Sequence, residues 1–173
     1  MDAAIRKIVS GGQTGADRAA LDFAIAHGIE HGGWCPAGRK AEDGPIDARY
    51  ALTETEGGYA RRTRLNVRDS DGTLVLNLGE LADGTLSTVN HARRMKRPCL
   101  VAQLDAGLSE GLLQNIWRWL SENAIEVLNV AGPRESKRPG IYGLTFACLE
   151  RLGLSPDADQ RGGDAGRPRR GSI

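Results

Sequence analysis

The chain has 173 residues, of which 40% are hydrophobic and 26% are charged, and its formal net charge is +1. These values are typical of a globular protein with one hydrophobic core. The near-neutral charge gives no reason to expect a nucleic-acid partner, and no apolar run is long enough to cross a membrane. The first residues, MDAAIRK, contain no apolar signal segment. We therefore expect the chain to stay in the cytoplasm.

The chain has three cysteines, Cys35, Cys99 and Cys148, which are widely spaced. An odd number of cysteines without a C-x-x-C pair is typical of reduced thiols packed as small apolar side chains. Structural zinc sites need paired ligands at short spacing. The sequence therefore predicts no structural metal.

Short apolar runs alternate with helical patterns along the chain. The predicted strands are KIVSG (7–11), EHGGWCP (30–36), TLVLNL (73–78), PCLVAQL (98–104) and IEVLNVAG (125–132). The predicted helices are ADRAALDFAIAHG (16–28), GTLSTVNHARRMKR (84–97), SEGLLQNIWRWLSENA (109–124) and GIYGLTFACLERLG (140–153). Five strands that alternate with helices predict an α/β domain with a parallel sheet and right-handed crossovers.

Two regions lie outside this alternation. The segment 41–71 is long for a connection, and insertions of this length are often functional. We expect one helix inside it, at 60–68. Residues 154–173 lack the apolar side chains of a core, so we predict a ligand-binding domain at 1–153 and a disordered tail at 154–173.

The first strand runs into a glycine-rich loop, Gly11-Gly12-Gln13-Thr14-Gly15, which is followed by Asp17. Glycines let a backbone approach a ligand closely, and a helix N-terminus offers free N–H groups to an anion. The loop lacks the lysine of an ATP-binding P-loop, so nucleoside triphosphate hydrolysis is not expected. In the alternative interpretation, Thr14 and Asp17 form a capping box and no ligand is needed.

Two later loops also favour anions. The loop after the third strand carries Gly84, Thr85 and Thr88 at the start of a helix, although Thr85 alone is better explained as a helix cap. The loop after the fifth strand carries Gly132 and Arg134, and an arginine there can bind an oxyanion through two donors. Its neighbours Lys137 and Arg138 are equally well explained as surface charges.

The loop after the second strand, CPAGRKAEDG, holds Arg39, Glu42 and Asp43. Either carboxylate could act as a general acid or base, and Arg39 is a further candidate for anion binding. No histidine or paired cysteine lies nearby, so the sequence contains no nucleophilic triad.

The combination of these loops resembles the putative molybdenum carrier family. The segments that carry the resemblance are SGGQTGADRAALD, PAGRKAEDG, RTRLNVRDSDGTLVLN, GTLSTV and NVAGPRESKRPGIY. The family looks like a circularly permuted branch of the Rossmann-like superfamily that includes the cytokinin-activating LOG proteins, with the "lysine decarboxylase-like" fold. Members of that superfamily bind nucleotides and metabolites derived from them.

The resemblance implies a single-domain, three-layer Rossmann-like sandwich in which the last strand lies between the first and the third. The predicted order of the five parallel strands is then 2-1-5-3-4, and the three anion-favouring loops meet at one pocket closed by Arg134 and Ser136. The alternation of strands and helices alone favours 2-1-3-4-5. LOG-type enzymes cleave an N-glycosidic bond with a glutamate, and Thr88 stands at that position here. Threonine cannot replace a carboxylate as an acid or base.

The sequence therefore predicts a binding protein for an anionic, nucleotide-like ligand, with molybdate and molybdenum cofactor as candidates. Asp17 would contact a ribose or another hydroxyl group. The alternative is a hydrolase of nucleotides or nucleoside phosphates, in which Glu42 or Asp43 supplies the missing carboxylate. Trp117 and Trp119 lie at opposite edges of the apolar face of their helix. On this pattern and the resemblance, we also predict a homo-oligomer.

Overall fold

The computed structural model describes residues 4–156, within which nine strands and five helices follow one another. The strands are β1 (Lys7–Val9), β2 (Glu30–Gly32), β3 (Trp34–Pro36), β4 (Lys40–Ala41), β5 (Gly44–Pro45), β6 (Thr53–Thr55), β7 (Gly72–Asn77), β8 (Cys99–Gln103) and β9 (Val127–Ala131). The helices are α1 (Ala16–Ala26), α2 (Gly58–Arg68), α3 (Asp83–Arg94), α4 (Glu110–Glu122) and α5 (Ile141–Arg151).

Five of the strands form a parallel sheet in the order β2-β1-β9-β7-β8. Numbered as the five strands predicted from the sequence, this order is 2-1-5-3-4, so the permuted topology is confirmed. The order 2-1-3-4-5 is wrong, because β9 pairs with both β1 and β7. The loops after β1, β7 and β9 therefore leave the same edge of the sheet next to one another.

The sheet is covered by helices on both faces. Leu74, Leu76 and Leu128 belong to a core that they share with α1, α4 and α5. Alternate strand residues such as Thr73 and Val75 are also buried, on the face that α2 and α3 cover. All six residues of β7 are buried, as expected of a central parallel strand between two helical layers.

The strand predicted at 30–36 divides at Gly33 into two strands. Only β2 joins the main sheet, whereas β3 turns away and pairs in parallel with β6. Gly33 has a φ of +126°, and a Cβ atom at this position would lie 2.3 Å from the carbonyl oxygen of Ser10. Only glycine fits this turn, since it lacks the Cβ that would clash.

The segment between β3 and β7 folds against α1. It contains the β4–β5 hairpin, β6 and α2, and α2 confirms the helix predicted at 60–68. A small second core, formed by Leu21, Cys35, Ile46 and Tyr50, fixes the segment to α1. The three cysteines are free, as predicted, and burial raises the pKa of Cys148 to about 11.

The two ends of the described chain lie together. The Ile5 N–H donates to the carbonyl oxygen of Ser155 at 2.9 Å, and Leu154 is buried in the main core. From residue 157 onward, the predicted tail lies outside the described residues. Trp117 and Trp119 pack against the core of their own chain, so the homo-oligomer stays a prediction. None of the helices within residues 4–156 is both long and apolar enough to cross a membrane.

Candidate functional site

A cleft of about 160 Å³ opens at the carboxyl ends of β1, β7 and β9. This is where ligands bind in open parallel α/β sheets. Its walls are formed by residues from these three loops, from α2 and from the start of α3. They are Gln13, Asp17, Arg62, Thr63, Asn77, Glu80, Ala82, Asp83, Gly84, Thr85, Thr88, Ala131, Gly132, Pro133, Arg134, Lys137 and Arg138.

The structure places about half of the predicted site residues in the wall of this cleft. Those in the wall are Gln13, Asp17, Gly84, Thr85, Thr88, Gly132 and Arg134. The other eight are not among the residues that line the cleft. They are Gly11, Gly12, Thr14, Gly15, Arg39, Glu42, Asp43 and Ser136.

Two glycines of the predicted anion site bring segments of the chain together. A Cβ atom on Gly15 would lie 2.4 Å from the carbonyl oxygen of Pro133, and one on Gly132 would lie 2.3 Å from that of Leu76. The Ala16 N–H, at the start of α1, donates to the Pro133 carbonyl oxygen at 3.3 Å. Both glycines are therefore needed for backbone packing between the loops.

The capping-box interpretation is wrong. The N-cap of α1 is Gly15, and no side chain caps the helix. The Thr14 hydroxyl donates to Glu42 instead, and its oxygen accepts from the Glu135 N–H at 3.2 Å. Thr14 thus joins three loops.

A buried ion pair forms one wall of the cleft. Arg62 Nη1 donates to Asp17 Oδ2 at 2.9 Å, and the two side chains are 13% and 5% exposed. Burial raises the pKa of the Asp17 carboxyl, while Arg62 and the backbone N–H groups of Gln13 and Gly132 oppose this rise. The Asp17 carboxylate therefore faces Arg62 and backbone donors. Because it is buried, it is not freely accessible to the ribose hydroxyl that the sequence predicted as its partner.

Sequence reasoning missed Arg62. It lies on α2, in the basic stretch ARRTRLNVR, and reaches the cleft because Gly11 has no side chain. A Cβ atom on Gly11 would lie 1.6 Å from Arg62 Nη1. The only signal in the sequence was an unexplained cluster of arginines in an insertion.

Two buried donors at the cleft have no hydrogen-bond partner among the described residues: Gln13 Nε2 and Arg62 Nε. The orientation of the Gln13 amide is well determined, because its Oε1 accepts from the N–H groups of Thr14 at 3.0 Å and Glu42 at 2.9 Å. A buried donor without a partner costs about 1–3 kcal/mol. Such donors favour a ligand that brings acceptors.

The two candidate catalytic carboxylates are engaged outside the cleft. Glu42 accepts from Ser136 Oγ at 2.5 Å, from the Ser136 N–H at 3.2 Å and from Thr14. Burial alone would raise the pKa of Glu42, but the hydrogen bonds from Ser136 and Thr14 and the charge of Arg134 hold it below its usual value. Asp43 binds the Arg18 guanidinium through both oxygens, at 2.9 and 3.2 Å, and this lowers its pKa.

Arg39 has a structural role. Its guanidinium donates to four backbone carbonyl oxygens of the segment that follows, at 2.7–3.3 Å, those of Ile46, Asp47, Tyr50 and Leu52. The donors that were predicted to bind an anion are therefore used to hold this segment in shape.

The start of α3 forms the opposite wall. Its N-cap is Ala82, without a capping side chain, so the interpretation of Thr85 as the helix cap is wrong. Thr88 Oγ1 donates to the Gly84 carbonyl oxygen at 3.0 Å. Asp83, at a left-handed φ of +47°, binds Lys137 Nζ at 2.9 Å. An uncapped helix start keeps N–H groups available to an anion.

Three cations of the β9 loop face this wall. The Arg134 side chain is 39% exposed, and its Nη1 lies 3.9 Å from Glu42 Oε2. Arg138 donates to the carbonyl oxygens of Leu78 at 2.7 Å and Glu80 at 3.4 Å, and the carboxylates of Glu80 and Asp83 line the same cleft. Lys137 and Arg138 both line the cleft. The Lys137 side chain is 58% exposed and paired with Asp83, as a surface charge would be, whereas Arg138 is bound to backbone carbonyl oxygens of the β7 loop.

The groups that line the cleft include hydroxyls and guanidinium groups. Within residues 4–156, no three His, Cys, Asp or Glu side chains are grouped as metal ligands would be. N–H groups, hydroxyls and guanidinium groups are the donors that phosphate and similar oxyanions prefer.

Comparison with known proteins agrees with this geometry. The model of a family described as the Circularly permutated YpsA SLOG family matches residues 8–153. The crystal structure of the Putative molybdenum carrier protein from Syntrophus aciditrophicus SB is 49% identical in sequence, with a TM-score of 0.84 over 86% of this chain and 95% of that chain. Among curated proteins, none matches significantly.

The family match extends across all five strands of the main sheet and all three loops of the cleft. The resemblance inferred from the loop sequences is therefore confirmed. The chain belongs to the circularly permuted YpsA SLOG family.

Proposed function

We propose that this chain is a binding protein for a small, nucleotide-like ligand that carries an oxyanion group, and that the ligand binds in the cleft. The observation that carries the proposal is the cationic side of the cleft. There, Arg134, Lys137 and Arg138 face the uncapped start of α3. Cationic side chains and helix N–H groups that converge on one cleft are a common oxyanion site.

The name of the Syntrophus aciditrophicus protein supports a molybdenum-carrier-like function for this chain. Molybdate is an oxyanion, and molybdenum cofactor carries a phosphate group. The donors of the cleft suit both, so both are candidate ligands. Molybdenum would here be the cargo.

The hydrolase alternative has less support. Glu42 and Asp43, the carboxylates on which it depends, are bound to Ser136 and Arg18 away from the cleft. Thr88, at the position of the LOG glutamate, donates its hydroxyl to a backbone carbonyl oxygen.

The test is isothermal titration calorimetry with sodium molybdate and, separately, with adenosine monophosphate. We expect at least one of these probes to bind, and Arg134→Ala to weaken its binding at least tenfold, which is about 1.4 kcal/mol. Arg118→Ala removes an exposed charge from α4 and is the matched control, with unchanged affinity expected. The proposal fails if neither probe binds, or if Arg134→Ala binds as the unmodified protein does. Native mass spectrometry of protein purified from its own host would then identify the retained ligand.

A further inference from the structure

We propose that Asp17 is a specificity-determining residue: it is a built-in anion that limits the ligand of the cleft to one oxyanion group. The proposal rests on the proposed function and divides the cleft into two halves. The cationic half, formed by Arg134, Lys137, Arg138 and the start of α3, takes the oxyanion. The other half, formed by Asp17, Arg62 and Gln13, takes a neutral acceptor.

The first argument concerns charge. The glycine-rich loop was expected to hold an anion, but the Asp17 carboxylate already faces the N–H groups of Gln13 and Gly132. It also compensates the positive charge of Arg62, at 2.9 Å. A second oxyanion in this half would meet a carboxylate whose cation and donors are already in use. Like charges at short range in a partly buried site repel strongly.

The second argument concerns the other half of the cleft. Asp17 pairs with Arg62, and Asp83 pairs with Lys137. Among the charged groups that line the cleft, Arg134 and Arg138 therefore remain against the Glu80 carboxylate, and the net charge of these three is +1. Positive charge therefore remains on this side. One oxyanion compensates it without approaching Asp17.

The third argument concerns the unused donors. Gln13 is 6% exposed and its Nε2 has no partner among the described residues, and Arg62 Nε is in the same situation. Because Oε1 of Gln13 is held by two N–H groups, the amide presents a donor on its other side. Neutral acceptors such as a carbonyl oxygen, a ring nitrogen or a sugar oxygen satisfy these donors without adding charge. The ligand class is therefore one oxyanion group linked to a neutral polar moiety.

The test compares inorganic phosphate with inorganic pyrophosphate by calorimetry on the full chain. In the unmodified protein, pyrophosphate should bind less than tenfold more tightly than phosphate, despite its larger charge. Asp17→Asn keeps the shape of the side chain and leaves Arg62 uncompensated, so the preference for pyrophosphate should rise at least tenfold. Glu122→Gln makes the same charge change at the exposed end of α4, outside the cleft, and should leave the ratio unchanged.

The inference is overturned if the unmodified protein already prefers pyrophosphate tenfold or more, a measurement that depends on no variant. It is also overturned if the Asp17→Asn ratio equals that of the unmodified protein. Asp17→Ser is the second variant if circular dichroism shows that Asp17→Asn does not fold. If neither phosphate nor pyrophosphate binds, the proposed function fails as well. If both bind but Asp17→Asn does not change their ratio, only the role of Asp17 is overturned.

Discussion

At the scale of single residues, Gly11 shapes the cleft because the absence of a Cβ atom leaves room for another side chain. The guanidinium of Arg62 occupies the position that a Cβ atom on Gly11 would take. The arginine can then reach Asp17, 45 residues away in the sequence, and form a pair that is almost fully buried. A buried carboxylate is tolerated only when it is paired.

Gly11→Ala should therefore destabilise the protein through this pair. Gly11 does not have a left-handed φ, so alanine fits its backbone, and the three atoms nearest to the added Cβ all belong to Arg62. Displacement of the guanidinium leaves Asp17 buried without its cation, a loss of about 3 kcal/mol. Denaturation in guanidinium chloride measures the free energy of unfolding.

Gly84→Ala is the matched control for this prediction. Gly84 also lines the cleft, but a Cβ atom there would meet no atom within 4 Å. Alanine in a helix is more stable than glycine by about 1 kcal/mol, so this variant should be unchanged or slightly more stable. An equal loss of stability in both variants would contradict the role assigned to Gly11.

At the scale of secondary-structure elements, the segment between β3 and β7 is joined to the loops of the cleft by polar side chains. Glu42 binds Thr14 of the first loop and Ser136 of the β9 loop. Asp43 binds Arg18, whose guanidinium also donates to the Gly12 carbonyl oxygen at 3.0 Å. These contacts hold three loops in one arrangement and position the walls of the cleft.

Glu42→Gln should lower stability at neutral pH and have a smaller effect in acid. The pKa of Glu42 is lower in the folded than in the unfolded chain, so its contribution is present above the ordinary glutamate pKa of about 4.3 and is lost as the pH falls below it. We expect a loss of about 1 kcal/mol at pH 7, typical of one hydrogen bond, and a smaller loss at pH 3.5, because the contribution disappears as the pH falls through the lowered pKa of the folded state. Urea denaturation at both pH values measures this difference.

Glu122→Gln provides the control, since Glu122 is exposed at the end of α4. It should change stability by less than about 0.5 kcal/mol at either pH. A loss at pH 7 that is equally large at pH 3.5 in Glu42→Gln would show that the effect is not due to the charge of the carboxylate.

The main sheet was predictable because its strands carry strong local signals. Short, continuous apolar runs such as 73–78 are typical of buried parallel strands, and the resemblance to the family implied their permuted arrangement. The β3–β6 pair was not predictable, since Thr53–Thr55 is polar and the chain leaves the sheet at Gly33, in a conformation that glycine allows. Apolar periodicity carries no information about such a pair.

The candidate site was predictable where it depends on loops at strand ends, and not where it depends on contacts across the chain. Gln13, Thr85 and Arg134 follow strands and were found by that rule. Arg62 lies on a helix of the insertion and reaches the cleft only because of Gly11. Arg39 has the chemistry of an anion ligand, but nearby backbone carbonyl oxygens use its donors.

At the scale of the whole molecule, the permuted strand order brings the ends of the described chain together. Ala4 and Ser155 form a parallel bridge next to the hydrogen bond between Ile5 and Ser155. The last strand, β9, lies at the centre of the sheet, next to β1. The helix that follows it, α5, packs against α1, as expected of a helix that connects β9 to β1. A chain that began with β9 could therefore form the same contacts.

A permuted variant should fold and keep the cleft. In this variant, a linker of about six glycine and serine residues joins residue 156 to residue 4. The new chain ends lie between Asn123 and Ala124. Both residues are exposed, and Ala124 has a φ of +47°, a strained conformation that the opening releases. Loop closure changes slowly with length, so we expect a cost of about 1–2 kcal/mol and a fall in Tm of about 2–8 °C.

Thermal denaturation followed by circular dichroism measures this fall, and calorimetry with the anion that the unmodified protein binds tests the cleft. The control opens the chain between Leu128 and Asn129, inside the strand that pairs with both β1 and β7, and it should not fold. If the Asn123–Ala124 variant is also unfolded, the link between α4 and β9 is needed for folding. If it folds but loses anion affinity, the cleft depends on the original connection, because every residue that lines it is retained.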